Sequence, residues 1–139
     1  MPYHCTVNAA AYQVQLQAGF VKAVQIAQQS QIKQLAIIVM QNGSFDPTDF
    51  SGLEEYMKAL KKNSHINLED MSIHLITYER LKKLNRSGFQ NGVGLFLFTD
   101  MACFDYACKN LQLSEIVFVP ACSNDLKEYL KRHPKSTIF

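Results

Sequence analysis

The segment Leu35-Ala36-Ile37-Ile38-Val39-Met40, followed at once by Gln41-Asn42-Gly43-Ser44, decides the fold of this chain. The apolar run has the length of a strand. Because it is unbroken, it is typical of a strand that is buried on both faces, as in parallel sheets. The Asn42-Gly43 dipeptide is a turn signal that ends the run. The segment therefore predicts a central parallel strand that leads into a loop.

Three further apolar runs of strand length follow, at residues 73–76, 93–98 and 116–119. Residues 137–139 could add a last strand at an edge of the sheet. Stretches with the period of amphipathic helices separate these runs. Such alternation predicts parallel strands that are joined by crossover helices.

Helix-start signals support the predicted helices. Ser51 and Glu54 have the spacing of a capping box, and Asp100 is a good N-cap for a helix over residues 101–110. Ser123 or Asn124 would cap a last helix that runs to about residue 132. A short helix is predicted over residues 78–84.

Upstream of the decisive segment, the chain is rich in glutamine, with eight glutamines between Gln13 and Gln34. Apolar residues interleave with them at helical spacing: Leu16, Phe20, Val24 and Ala27. The pattern predicts a long amphipathic helix from residue 9 to about residue 29.

The expected fold class is therefore α/β, a three-layer sandwich with a mostly parallel sheet of four to five strands. We expect a flavodoxin- or Rossmann-like strand order, preceded by the long N-terminal helix. The 139 residues fit a single domain over residues 1–139, because no linker or repeat divides them.

Composition and charge exclude several classes of function. A net charge of +2, with the lysines of the helices interspersed with glutamates, argues against a nucleic-acid-binding protein. No apolar run is long enough to cross a membrane, and we see no secretory signal. The four cysteines form no C-x-x-C pair, and the histidines lack metal-ligand spacing. We therefore expect a cytoplasmic protein with reduced thiols, without a metal or a cofactor.

Ligands of open parallel α/β sheets bind beyond the carboxyl ends of the strands. The residues at these ends are therefore the candidate ligand-binding residues: Asn42, Gly43, Ser44, Thr99 and Ser123. The turn at Asn42-Gly43-Ser44 could present N–H groups and a hydroxyl to a small anion. It lacks the phosphate-loop and dinucleotide patterns, so a plain turn is the alternative.

Cys122 and Asp100 are the candidate catalytic residues. Cys122 follows a strand and precedes a helix, where the helix dipole lowers the pKa of a thiol. With Cys103 it could form a redox pair if both lie at the same sheet edge. The alternatives are structural, because Asp100 is well placed as a cap and cysteines often pack in cores.

Two hypotheses of function follow. The first is a non-catalytic protein-interaction module that binds a protein partner or associates with itself as a homodimer, since no constellation of titratable residues stands out. The second is a small-ligand-binding protein or thiol-dependent enzyme with its site at the carboxyl edge of the sheet. The sequence leaves open whether the chain is an enzyme.

Overall fold

The computed structural model of the chain describes residues 2–6, 11–83 and 90–139. Its strands are β1 (Tyr3–Cys5), β2 (Gln34–Val39), β3 (His65–Leu68), β4 (Met71–Thr77), β5 (Gln90–Leu97), β6 (Gln112–Val119) and β7 (Thr137–Ile138). Its α-helices are α1 (Tyr12–Gln29), α2 (Glu54–Asn63), α3 (Tyr78–Lys83), α4 (Met101–Asn110) and α5 (Ser123–Arg132). The predicted ends of α1 at residues 9 and 10, and of α3 at residue 84, lie outside the described residues.

The strands form one mostly parallel sheet in the order β3-β4-β2-β5-β6-β1-β7. The α/β class, the parallel sheet and the long N-terminal helix are confirmed. The decisive segment forms β2, which pairs in parallel with both β4 and β5. Only β3 is antiparallel among the strands of the described residues, because it forms a hairpin with β4.

The predicted number of strands was wrong, because the described residues form seven strands and not four or five. β1 is three residues long, and its sequence contains no apolar run. β3 alternates exposed and half-buried residues at the edge of the sheet, so it lacks the continuous apolar signal of a central strand. β1 precedes α1, so the long helix is not the first element of the chain.

Each face of the sheet carries its own core. On the first face, α1 and α2 bury residues such as Phe20 and Met57 against the sheet. On the second face, α3, α4 and α5 bury residues such as Leu81, Phe104 and Tyr129. Side chains of adjacent residues in β2 alternate between the two cores, as the pleat of a strand requires.

The helix caps agree with the sequence prediction in one case of three. Asp100 caps α4, because its carboxylate accepts a hydrogen bond from the Cys103 amide at 2.8 Å. The predicted cap at Ser51 was wrong, since α2 begins at Glu54 with Leu53 at the N-cap. The cap of α5 at Ser123 or Asn124 was also wrong, since Cys122 occupies the N-cap position.

Candidate functional site: a crevice at the carboxyl edge of the sheet

The connections of two neighbouring central strands diverge at the carboxyl edge of the sheet. β2 continues into α2 on the first face, whereas β5 continues into α4 on the second face. The strand order reverses here, and the two connections leave a gap between them. In open α/β sheets, this topological switch point is where ligands bind.

A cavity of about 150 Å³ lies at this switch point. Its lining residues come from the ends of β2 and β5, the start of α1 and the β2–α2 connection: Tyr12, Leu16, Val39, Met40, Ser44, Phe45, Asp46, Phe50, Leu97 and Phe98. We call the cavity with these ten residues the crevice. Its position follows from the fold, because parallel strands end side by side at one edge.

Aromatic side chains form much of the wall of the crevice. The rings of Tyr12 and Phe98 stack with their centroids 4.4 Å apart. Phe45 and Phe50, both buried, lie against each other with centroids 5.3 Å apart. Phe98 adopts a φ of 56°, a left-handed conformation that is uncommon for a bulky residue and costs roughly 1–3 kcal/mol. Backbone strain of this kind concentrates at binding and active sites.

The polar part of the wall comes from the β2–α2 connection, which contains two short 3₁₀ helices, Asn42–Ser44 and Pro47–Asp49. The hydroxyl of Ser44 donates to the Gln41 carbonyl oxygen at 2.6 Å. Oδ1 of Asp46 accepts from the amide and the hydroxyl of Thr48, at 3.0 and 2.8 Å. These two hydrogen bonds are the main reason that the pKa of Asp46 lies below its usual value.

A second carboxylate, Asp49, lies behind Tyr12 and is buried. Nε2 of Gln13 donates to Oδ1 of Asp49 at 3.4 Å, and Nε2 of Gln17 donates to its backbone oxygen at the same distance. The pKa of Tyr12 is raised, mainly because the side chain is partly buried. The charge of Asp49, its hydrogen bond to Tyr12 and the charge of Asp46 raise this pKa further. Two carboxylates, Asp46 and Asp49, thus act on Tyr12, one of the lining residues of the crevice.

The predicted ligand-binding residues are distributed unevenly around the crevice. Ser44 lines it, while Asn42 and Gly43 lie beside it in the same exposed 3₁₀ helix. Thr99 follows Phe98 and is fully buried, and its hydroxyl has no hydrogen-bond partner in the described part of the chain. Ser123 is exposed in the first turn of α5 and is not part of the lining.

The two candidate catalytic residues lie outside the lining of the crevice. The carboxylate of Asp100 is engaged in capping α4. The exposed thiol of Cys122 donates to Oδ2 of Asp125 at 3.4 Å. Cys103 is fully buried, and burial is the main cause that raises the pKa of its thiol to about 12. Burial in the core therefore disfavours the thiolate that a redox pair with Cys122 would require of Cys103.

Sequence reasoning missed most of the aromatic wall. Tyr12 and Phe50 do not follow a predicted strand, so only the tertiary structure brings them to the carboxyl edge. Phe98 ends the apolar run at residues 93–98, and its position directly before Thr99 was a usable signal. Asp46 shares the segment after β2 with Ser44, which the sequence did single out.

Within residues 2–6, 11–83 and 90–139, no three His, Cys, Asp or Glu side chains come together as a metal site would require. The helices of the same residues include none with the length and apolar character needed to cross a bilayer. Comparison with protein-family models, with curated proteins and with solved structures found no significant match to this chain.

Proposed function

We propose that this chain is a non-catalytic binding domain that holds a small, mostly apolar molecule in the crevice. The observation that carries the proposal is the coincidence of a cavity with the topological switch point of the sheet. The strained conformation of Phe98 in the wall of that cavity supports it further. The switch point lies between β2 and β5 in the observed strand order, and we propose that this order is flavodoxin-like.

The size and the lining of the crevice define the ligand. A cavity of about 150 Å³ lined by apolar groups is the size that takes a single benzene ring. Leu16, Val39 and Leu97 add aliphatic surface to the aromatic wall. We therefore expect a ligand of one-ring size, or a one-ring portion of a larger molecule.

We propose binding and not catalysis because the hydroxyl of Ser44 and Oδ1 of Asp46 are both engaged in local hydrogen bonds. The hydroxyl of Ser44 donates its hydrogen bond to the backbone carbonyl of Gln41. Asp46 uses Oδ1 to hold Thr48. A cytoplasmic location belongs to the same proposal, since all four cysteines are free thiols and a reducing compartment would keep them so.

Two tyrosines of similar exposure provide a matched test of the crevice. Tyr12 lines it and is 47% exposed, whereas Tyr56 lies on α2 outside it and is 50% exposed. We expect phenol and benzyl alcohol to shift the amide NMR signals of Leu16, Leu97 and Phe98. We expect Tyr12→Ala to weaken this binding about fivefold or more through lost aromatic contact, and Tyr56→Ala to leave it unchanged.

The measurement is an amide NMR titration of the wild type and of both variants, with dissociation constants fitted to the shifts. Absence of shifts at the crevice up to the solubility limit of both probes would refute the proposal. Equal losses in the two variants would also contradict it, because they would show that the effect of Tyr12→Ala is not local.

A second candidate function is self-association through the outer face of α1. Val14 and Val21 on this face are 57% and 53% exposed, and Ala18 lies between them. With Phe139, they border an open groove of about 430 Å³ on the outside of the helix. Exposed apolar side chains at helical spacing suit an interface.

We commit to a second copy of the chain as the occupant of this face. Lys22 is the one charged side chain of α1 and borders the same groove, together with Gln17 and Gln25. A two-fold symmetric interface brings the same patch against itself, so a nearly uncharged face meets little repulsion. Depletion of charge is typical of interface cores. A homodimer is therefore the form of protein association that we propose.

A further inference from the structure

We infer that the ligand of the crevice is a small methylated ammonium ion, held by the aromatic wall and by the carboxylate of Asp46. This inference rests on the proposed binding function and names the chemical class of its ligand. Four of the ten lining residues are aromatic, one is an aspartate and none is basic. Aromatic side chains are the usual means of recognising such cations, and a carboxylate adds the attraction of an opposite charge.

The aromatic wall supplies the first part of the attraction. The face of an aromatic ring carries negative charge density, so it attracts a cation that approaches within about 6 Å of the ring centroid. Tyr12, Phe45, Phe50 and Phe98 all border a cavity small enough that its occupant would contact several rings at once. The buried positions of Phe45 and Phe50 remove water from that part of the wall, which strengthens the attraction.

The carboxylates supply the second part. The lowered pKa of Asp46 keeps it ionised at neutral pH, and both of its hydrogen bonds to Thr48 use Oδ1, which leaves Oδ2 for a cation. Asp49 adds a second negative charge close to Tyr12. The positive charge of Lys61 in α2 makes the smallest contribution to the lowered pKa of Asp46. Lys61 is not among the lining residues of the crevice.

The same charges disfavour the small anion that the Asn42-Gly43-Ser44 turn suggested. An anion in the crevice would meet Asp46 in the wall and Asp49 behind Tyr12, without a basic lining residue to offset the repulsion. We therefore replace the anion with a cation as the ligand proposed for this edge of the sheet.

We infer that the ammonium ligand is methylated because the wall of the crevice offers few hydrogen-bond acceptors. A primary ammonium has three N–H groups, and each one left without an acceptor in an apolar site costs free energy. The lining offers the carboxylate of Asp46 and the hydroxyl of Ser44, while the hydroxyl of Tyr12 is hydrogen-bonded to Asp49 and the remaining residues contribute mainly apolar surface. A quaternary ammonium has no N–H group to satisfy, and its methyl groups fit apolar and aromatic surface.

Choline and its neutral isostere 3,3-dimethylbutan-1-ol have the same shape and differ in charge. Comparing their affinities therefore measures the contribution of the charge to binding. We expect choline to bind about tenfold more tightly than the isostere, in titrations followed by amide NMR shifts at Leu16, Leu97 and Phe98. Equal affinity of the two probes would overturn the ammonium inference but leave the proposed binding function intact. Absence of binding by both probes and by phenol would refute both.

Asp46→Asn provides the matched variant, because it removes the charge and keeps an oxygen that can accept from Thr48. We expect it to weaken choline binding about fivefold to tenfold and to leave the isostere unaffected. Asp125→Asn, which changes an aspartate at the start of α5 outside the crevice, is the control and should leave both affinities unchanged. Equal effects of the two substitutions on choline would contradict the assignment of Asp46. Urea unfolding of each variant establishes that it is folded.

Discussion

At the scale of single residues, the four cysteines differ sharply in their environments. Cys122 is exposed, whereas Cys5 and Cys103 are fully buried, and burial raises the pKa of these two thiols to about 11 and about 12. Cys108 is partly buried, and burial followed by the charge of Asp105 raises its pKa to about 12. Since the thiolate is the nucleophile, only Cys122 should react readily in the folded protein.

We therefore predict that iodoacetamide at pH 8 modifies the folded chain once, at Cys122, and modifies all four cysteines after unfolding in urea. Peptide mass spectrometry identifies the labelled residue, and Cys122→Ser should abolish the label on the folded protein. Early labelling of Cys103 would contradict the burial of that thiol. A rate at Cys122 well above that of a free thiol would revive its role as a catalytic candidate.

Residue patterns alone predicted one helix cap correctly and two incorrectly. Asp100 stands directly between a buried strand and a helix, so its cap is a local feature that the sequence shows. Ser51 has capping-box spacing to Glu54, but Gly52 adopts a φ of 80° and α2 begins after it. The path of the β2–α2 connection, which the packing of Phe45 and Phe50 determines, therefore overrides the local signal.

At the scale of secondary-structure elements, α1 lies unusually close to the sheet at Gly19. A Cβ atom added there would stand 2.4 Å from Cγ2 of Val119 in β6, which is too close for any real contact. Glycine in the middle of a helix costs about 1 kcal/mol relative to alanine. We infer that the close contact between α1 and β6 offsets that cost.

Gly19→Ala thus sets two effects of opposite sign against each other. We predict a net loss of up to about 2 kcal/mol in the free energy of unfolding, because overpacking typically costs about 1–3 kcal/mol and the gain in helix propensity is about 1 kcal/mol. Urea denaturation measures it. Ala18→Gly, on the exposed side of the same helix, measures the effect of helix propensity alone. It should lower the free energy of unfolding by about 1 kcal/mol. A Gly19→Ala variant more stable than the wild type would contradict the predicted close contact.

Most of the elements that the sequence predicted have a strong apolar period, and the two strands that it missed, β1 and β3, are only three and four residues long. The last edge strand expected at residues 137–139 is present as β7 (Thr137–Ile138). β2, β5 and β6 all contain apolar runs that are buried on both faces, and β4 contains a shorter run that is interrupted by the half-buried His74. β1 is held by its parallel pairing with β6, which brings together residues more than a hundred positions apart. Such pairing leaves no local signal in a strand of three residues.

At the scale of the whole molecule, α1 connects the two proposed activities. Its inner face contributes Leu16 to the crevice, and its first residue, Tyr12, forms part of the aromatic wall. Its outer face carries Val14 and Val21, which no element of the described chain covers. The alternation of strands and helices in the sequence predicted a parallel sheet with a site at its carboxyl edge. The contribution of α1 to the crevice depends instead on how this helix packs across β5 and β6.

A homodimer through the outer face of α1 predicts association that depends on concentration and on Val21. We expect sedimentation equilibrium of the wild type to show dimers at tens of micromolar, and Val21→Glu to shift the protein to monomers, because a dimer would bring two new charges into an apolar interface. Ile32→Glu is the matched control, since Ile32 is also an exposed β-branched residue, at 42%, but follows α1 and lies off this face. It should leave the dimer intact.

A wild type that stays monomeric at several hundred micromolar would refute the homodimer, and equal dissociation of both variants would show that the outer face of α1 is not the interface. Because Tyr12 and Leu16 reach the crevice from the opposite side of the helix, the Val21→Glu monomer should still bind choline, which keeps the two proposals independent.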